Sequence, residues 1–278
     1  MGKIIQDNEK LERLAKFNFK FTEGPAVDRD GNIFFTDQPN NLIFKWSVEG
    51  ELSVFLNPSG RSNGLYLDND GNIIACADNK NELWSITPDG KITVLIKDYQ
   101  GKLLNGPNDV WVRPDNGIYF SDPFYSREHW EHRDKEKMEQ DGQYVYYIIP
   151  NRKTINRVTN DLNKPNGLIG TPDGKTLYIA DIGDGKTYAY DIQQDGSLVN
   201  KRLFCNFGSD GMTIDNEGNV YLTGNGVTVF DKNGTQIEHI IVPEGWTSNV
   251  TFGGKYRNLL FITASKSIYG LKMNVKGV

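Results

Sequence analysis

The stretch Glu23–Asp37, E-G-P-A-V-D-R-D-G-N-I-F-F-T-D, joins an apolar run to a β-rich run through an Asp-Gly turn and reads as a β-hairpin. The phrase returns five times. It opens again at Asn63 (N-G-L-Y-L-D-N-D-G-N-I-I-A-C-A-D), Asn108 (N-D-V-W-V-R-P-D-N-G-I-Y-F-S-D) and Asn166 (N-G-L-I-G-T-P-D-G-K-T-L-Y-I-A-D), then at Asp210 (D-G-M-T-I-D-N-E-G-N-V-Y-L-T) and, most weakly, at Asn249 (N-V-T-F-G-G-K-Y-R-N-L-L-F-I-T). By difference, successive openings lie 40, 45, 58, 44 and 39 residues apart, a blade-sized spacing. Behind most hairpins lies a further strand pair, such as Leu83–Thr87 with Ile92–Leu95 around Pro88-Asp89-Gly90, or Val227–Phe230 with Gln236–Ile241 around Asn233-Gly234. Four antiparallel strands repeated six times specify an all-β, six-bladed β-propeller, because each small sheet buries its faces only by stacking on its neighbours.

Composition agrees. The 278 residues contain 29 Gly and 28 Asn but only 7 Ala, with 12% aromatics. Alanine is the best helix former, and Gly and Asn serve tight turns, so an all-helical chain is excluded. One unit is expected over 1–278, with the amphipathic stretch at about 11–17 adding the outer strand that the last blade lacks. The 58-residue interval carries about 15 extra residues, an insertion at about 126–141 in the third blade. Its helix-forming, charged sequence reads as a short helix or a mobile flap, either a lid or a solvated excursion.

Thirty-one basic against 36 acidic side chains, a net charge of -5 and no cationic block exclude a nucleic-acid partner or an anionic membrane surface. No apolar run approaches the roughly 20 residues of a membrane span. The expected location is therefore cytoplasmic, or periplasmic if a leader has been removed. Cys76 and Cys205 are too few for a disulfide scaffold and read as buried free thiols. His129, His132 and His239 show no zinc-ligand pattern, and no nucleophile elbow, phosphate loop or H-E-x-x-H occurs.

The functional signal is one equivalent position in all six repeats: Glu23, Asn63, Asn108, Asn166, Asp210 and Asn249. Each stands just before the innermost strand of its blade, so the six form a ring at one mouth of the central channel. A lone Asn-Gly reads as turn chemistry. Six oxygen-bearing side chains in register read as a site. Two carboxylates among four amides, with no thiolate or imidazole, suit one hard divalent cation, Ca²⁺ first, with Mg²⁺, Mn²⁺ or Zn²⁺ as alternatives. Paired carboxylates for glycoside cleavage, Glu23 and Asp210, are the weaker reading.

Glu23-Gly24-Pro25, Asn108-Asp109, Ser121-Asp122-Pro123, Asn166-Gly167-Leu168 and Ser209-Asp210-Gly211-Met212 together resemble the gluconolactonase and senescence-marker-protein (regucalcin-like) family, over about Phe21 to Ile262. The resemblance implies a propeller that hydrolyses a small-molecule lactone with one divalent cation. It implies Glu23, Asn166 and Asp210 as metal ligands, Asn108 as a metal ligand in some relatives and a substrate contact in others, and Asn63 and Asp109 as polar substrate contacts. With a second oxygen available beside the ion, Asp210 is also the candidate general base. Animal members carry an arginine two residues before the Asn of the N-D pair, where this chain has Gly106. Arg61, two before Asn63, is the replacement candidate, and Trp130 of the insertion, with Phe124 and Tyr125 at its flank, is expected either to cover the substrate or to pack the blade edge. A phosphotriesterase of the diisopropyl fluorophosphatase kind and a non-catalytic ligand-binding propeller are the alternatives. Oligomeric state is left open.

Overall fold

A computed structural model describes residues 3–278; Met1 and Gly2, the head of the expected unit, lie outside it. Six four-stranded antiparallel sheets form in chain order, with inner strands Thr22–Val27, Ser62–Leu67, Val110–Val112, Pro165–Gly170, Met212–Ile214 and Thr247–Gly253. Successive inner strands are neighbours, and the sixth returns to the first, so the sheets close a ring around a channel. The fold is the six-bladed β-propeller expected from the repeat.

Burial falls from the channel outward within each blade. The second strand of the first blade, Ile33–Asp37, is buried throughout, whereas the outer strand of the second blade, Ile92–Ile96, exposes Ile92 and Val94. The sheets stack through aromatic layers. Phe35 of the first blade lies 5.4 Å from Phe261 of the sixth and is stacked on Phe44 at 5.3 Å. Each such buried ring stabilises the stack by about 1.5–3 kcal/mol. The outer strand of the sixth sheet is Glu12–Arg13, paired antiparallel with Ser267–Lys272 in the register Glu12–Gly270 and Arg13–Tyr269. It is shorter than the expected 11–17, and the next residues, Leu14 and Ala15, pack on the Phe19–Phe35–Phe261 layer.

At the far end of the inner hairpins, the turns of the first, second and fifth blades share one device. Asp28 Oδ1 accepts the N–H groups of Asp30 and Asn32 at 3.0 and 2.8 Å, and its Oδ2 accepts the Asn32 amide at 2.8 Å. Asp68 and Asp215 repeat the pattern. These Asx turns satisfy the hairpin backbone locally.

The insertion contains no helix among the described residues, contrary to one of its two expected forms. Its side chains are drawn instead to fixed acceptors on neighbouring loops. Trp130 Nε1 donates to Asp78 O at 2.8 Å, Arg133 Nη1 to Leu104 O at 2.7 Å, and Gln140 Nε2 to Lys102 O and Leu103 O at 3.0 and 3.1 Å. The Arg133 guanidinium also lies over the Trp130 ring, 4.8 Å from its centroid. These bonds pin the segment to the loops that precede and follow the second blade's outer strands, so the flap reading gives way to a strap.

Candidate functional site

All six equivalent residues stand at the start of an inner strand or within two residues of it, at one mouth of the channel. Glu23, Asn63, Asn108, Asn166 and Asn249 are buried and Asp210 is half-buried. What brings them close is the residue that follows. A Cβ on Gly24 would lie 2.2 Å from Asn63 O, one on Gly64 2.5 Å from Asn108 O, one on Gly167 2.7 Å from Asp210 O, and one on Gly211 2.0 Å from Asn249 Cγ. Each glycine is therefore the seat on which the next blade's ring residue rests. Sheet register also shifts just after Glu23, Asn63 and Asn166, the bulge geometry that re-aims a strand-end side chain.

The third blade places Asp109, and the sixth Val250, where the other four place glycine, and the Asp109 carboxylate enters the channel. Asp109 Oδ2 accepts from the Asn249 amide at 3.4 Å, a bridge from the third blade to the sixth, straight across the channel. Asn166 Nδ2 donates to Asp210 Oδ1 at 2.9 Å and to Tyr125 Oη at 3.1 Å. Trp246 Nε1 donates to Asp210 Oδ2 at 2.6 Å. Both oxygens of Asp210 are thus held by donors, while Asn166 Oδ1 and Asn63 Oδ1 are buried without a hydrogen-bond partner.

Three carboxyl groups share this small volume. Burial pushes the Asp210 carboxyl up to about 6, against the Trp246 and Asn166 donors and the Arg127 charge that favour its ionised form. Glu23 is raised well above the ordinary Glu range by burial first and by the Asp210 charge next, with the Gly24 N–H opposing. Asp109 is raised well above the ordinary Asp range by burial, with the Asn249 amide opposing and Asp210 adding to the rise. A cation among these oxygens would relieve the repulsion and occupy the orphaned amide acceptors. Among the described residues no group of three or more His, Cys, Asp and Glu could hold a metal; the oxygen set here is completed by Asn108 and Asn166, whose amide oxygens are ordinary ligands for hard cations. The residues present therefore fit a hard divalent ion.

Of the residues outside the repeat register, Tyr125 is expected from the sequence as a cover beside the insertion, whereas Trp246 and Arg127 are not found from it. Trp246 lies on the connection into the sixth blade, and Tyr125 and Arg127 lie at the root of the insertion. Arg127 follows from a break in the pattern. The aspartate closing the second strand clamps the backbone entering its own blade in three cases: Asp37 accepts from Lys20 N and Phe21 N, Asp122 from Asn105 N and Gly106 N, and Asp181 from Asn163 N and Lys164 N. In the second blade Asn41 Oδ1 takes over that role, accepting from Ser59 N and Arg61 N at 3.1 and 2.7 Å. The strand itself closes on Ala77, and Asp78, one residue beyond, has no clamp to make: its Oδ2 accepts Arg127 Nε at 3.0 Å and Gln38 Nε2 at 3.1 Å. The guanidinium then stands 5.5 Å from the centroid of the Tyr125 ring, whose hydroxyl touches Asn166. The offset of Asp78 is visible in the sequence: the run from Gly31 reaches Asp37 at its seventh residue, whereas the run from Gly71 reaches Ala77 at its seventh, so Asp78 falls one residue past the clamping position.

Two expected substrate contacts are placed differently. Trp130 has no exposed surface and packs beside Gly106 with its N–H on Asp78 O, so it anchors the strap and presents no face to a ligand. Arg61 is half-buried at the rim, with Nη1 on Pro39 O at 2.9 Å, and the cation nearer the ring is Arg127. Asn63 and Asp109 lie in the ring and just inside it. Cys76 and Cys205 are buried and free.

A family profile described as SMP-30/Gluconolactonase/LRE-like region matches residues 21–266. Gluconolactonase from Zymomonas mobilis is 28% identical over 304 residues, covering 99% of this chain and 84% of that protein. The structure of a Xanthomonas campestris gluconolactonase superimposes with a TM-score of 0.86 at 28% identity, covering 97% of this chain and 91% of that one. A calcium-binding regucalcin from Agrobacterium tumefaciens shares the fold, with a TM-score of 0.79 at 19% identity over 96% of this chain and 94% of that one. A repeat that specifies six blades, an oxygen ring at one mouth and a match over nearly the whole propeller lead to one assignment: the chain belongs to the SMP-30/gluconolactonase family.

Proposed function

We propose that the protein is a lactonase that opens a sugar lactone of the gluconolactone kind, assisted by one divalent cation, Ca²⁺ before Mg²⁺, Mn²⁺ or Zn²⁺. The observation that carries this reading is the Asn166 amide. Its nitrogen is committed to Asp210 and Tyr125, which leaves a buried oxygen without a partner beside the carboxylates of Asp210 and Glu23. The gluconolactonases among its relatives support the choice of a lactone.

Glu23, Asn108, Asn166 and Asp210 would hold the ion. When bound, a cation there polarises the lactone carbonyl and offsets the charge that develops on its oxygen. Asp210 accepts the proton of the attacking water; its two donors fix the carboxylate direction, and a value of about 6 leaves it ionised yet basic near neutral pH. The water oxygen bonds to the carbonyl carbon and the ring C–O bond breaks. The ring oxygen leaves as a hydroxyl, taking the proton from Asp210, and the new carboxylic acid ionises. Asn63, Asp109 and Arg127 surround the place where the sugar hydroxyls would lie.

Each turnover releases one proton, so a pH-indicator assay reads it directly. Glucono-, galactono- and xylono-lactones are offered to chelated protein, which is then titrated with Ca²⁺, Mg²⁺, Mn²⁺ and Zn²⁺. The expected result is silence after chelation and recovery with one of these ions. Full turnover in the presence of chelator overturns the cation; no turnover of any lactone with any ion, or faster release from diisopropyl fluorophosphate, overturns the lactonase.

A further inference from the structure

The channel has a second mouth, where the inner strands end, and it contains a cavity of about 600 Å³. The volume lies within the range of small-molecule sites. One part is the lower channel, lined by Ile214 and Phe252 and by the hydroxyl-bearing Tyr66, Thr213 and Thr251. The other part runs outward between the first two blades over Phe34, Phe55 and Ile73. Glu23, Asp109, Asn166 and Asp210 do not line it, and the Asp109–Asn249 bridge crosses the channel at the other mouth.

Charge decides what the cavity would take. Three cations line it, Arg29, Lys45 and Arg257, as do three acids, Asp28, Asp30 and Asp68. The acids are not equivalent to the cations. Asp28 and Asp68 are saturated by the N–H groups and side-chain amides of their own turns, Asp68 also contacts Arg152 at 3.4 Å, and Asp30 is exposed to water. The cations keep their charge available: none of the three enters an ion pair among the described residues. Arg257 Nη2 donates only to a carbonyl, Asp28 O at 2.8 Å, and its charge reaches the Tyr66 phenol inside the cavity. Arg29 likewise donates to Asn69 O, and Lys45 Nζ stands 5.7 Å from the centroid of the Phe34 ring, at the border of the apolar floor.

We propose that this second mouth is a binding site for an anionic amphiphile, a molecule with an apolar chain or ring body and one carboxylate. The body lies against Phe34, Phe55, Ile73 and Phe252, and the carboxylate meets Lys45, Arg29 and Arg257. This site is independent of lactone chemistry at the other mouth.

Dodecanoate is the probe, titrated into the full chain by calorimetry, with Lys45→Glu and Leu67→Trp as variants. Leu67 lines the cavity and is half-buried, so the larger ring fills space without overpacking the core. The expected result is one dodecanoate per chain, affinity weakened about tenfold or more in each variant, and unchanged melting and lactone turnover. A variant that fails to fold leaves the other to decide. No saturable binding, equal affinity in the folded variants, or competition between dodecanoate and a lactone overturns the proposal.

Discussion

The same six inner strands build two unlike mouths. At the end where they begin, Glu23, Asn166 and Asp210 gather oxygens, and burial raises the proton affinity of both carboxyls, with the Asp210 charge adding to the rise at Glu23. At the end where they finish, Ala26, Ile214 and Phe252 line an apolar cavity rimmed by cations. A strand alternates its faces, yet the change here runs along the strand: polar positions occupy the bulged entry and apolar ones the regular part. The bulge is what permits this, since it re-aims the first side chains without disturbing the pairing that follows. Chemistry is thus concentrated where the ladder is least regular, and packing where it is most regular.

The sharpest test of that division is Asp210→Asn. It keeps shape and removes the proposed base, so lactone turnover should fall by about 10² to 10⁴ in kcat with the melting temperature preserved; near-normal turnover would break the assignment. A second test uses acidity. Glu23, Asp109 and Asp210 bind protons more tightly folded than unfolded, so stability of the cation-free protein is present at low pH and is lost as pH rises through the folded values, for Asp210 from 3.8 toward about 6. Asp78 and Asp122, buried and raised to about 6 and about 7, act in the same direction. Cation-free protein should therefore melt lower at pH 8 than at pH 5, and added Ca²⁺ should reverse the order; melting curves without that crossing would separate the carboxyl cluster from cation binding.

Smaller effects probe the supports. Gly211→Ala forces a methyl into the Asn249 amide and should cost about 1–3 kcal/mol of stability, read by denaturant unfolding, while Gly71→Ala has open space around the new methyl and tests only its φ of +82°. Asp78→Asn loosens Arg127 without touching the ring and should raise the KM for a lactone several-fold, as expected for one charge-assisted hydrogen bond of about 1.5–3 kcal/mol that is partly replaced, with little change in kcat. An equal fall in kcat would place Asp78 nearer the chemistry than its contacts do.

The blade count and the ring position were legible because both repeat: one phrase, six times, in one register. The reason for Asn-Gly was not. The sequence suggests turns, whereas Gly24, Gly64, Gly167 and Gly211 serve close approach between blades, a contact between residues about forty apart that no local pattern encodes. Trp246 and Arg127 come from connections outside the repeat, so nothing aligned them with the site, and Tyr125 was legible only as an aromatic beside the insertion. Trp130 misled because an aromatic in an insertion reads as a cover, and only its hydrogen bond to Asp78 O shows that it faces inward. The helix-forming composition of the insertion did not reveal that Trp130, Arg133 and Gln140 each find a carbonyl acceptor on a neighbouring loop, contacts that hold the segment extended across the surface.

The pairing of Glu12–Arg13 with Ser267–Lys272 sets an order on assembly. The first blade's sheet is synthesised early, but the ring closes only after the sixth has been made, so the amino-terminal strand must wait, unpaired, for a partner about 250 residues away. That closure is the most non-local step the chain takes and so the slowest on topological grounds. A ribosome-bound chain released before residue 267 holds an open sheet edge at each end, which is a template for joining another chain rather than itself.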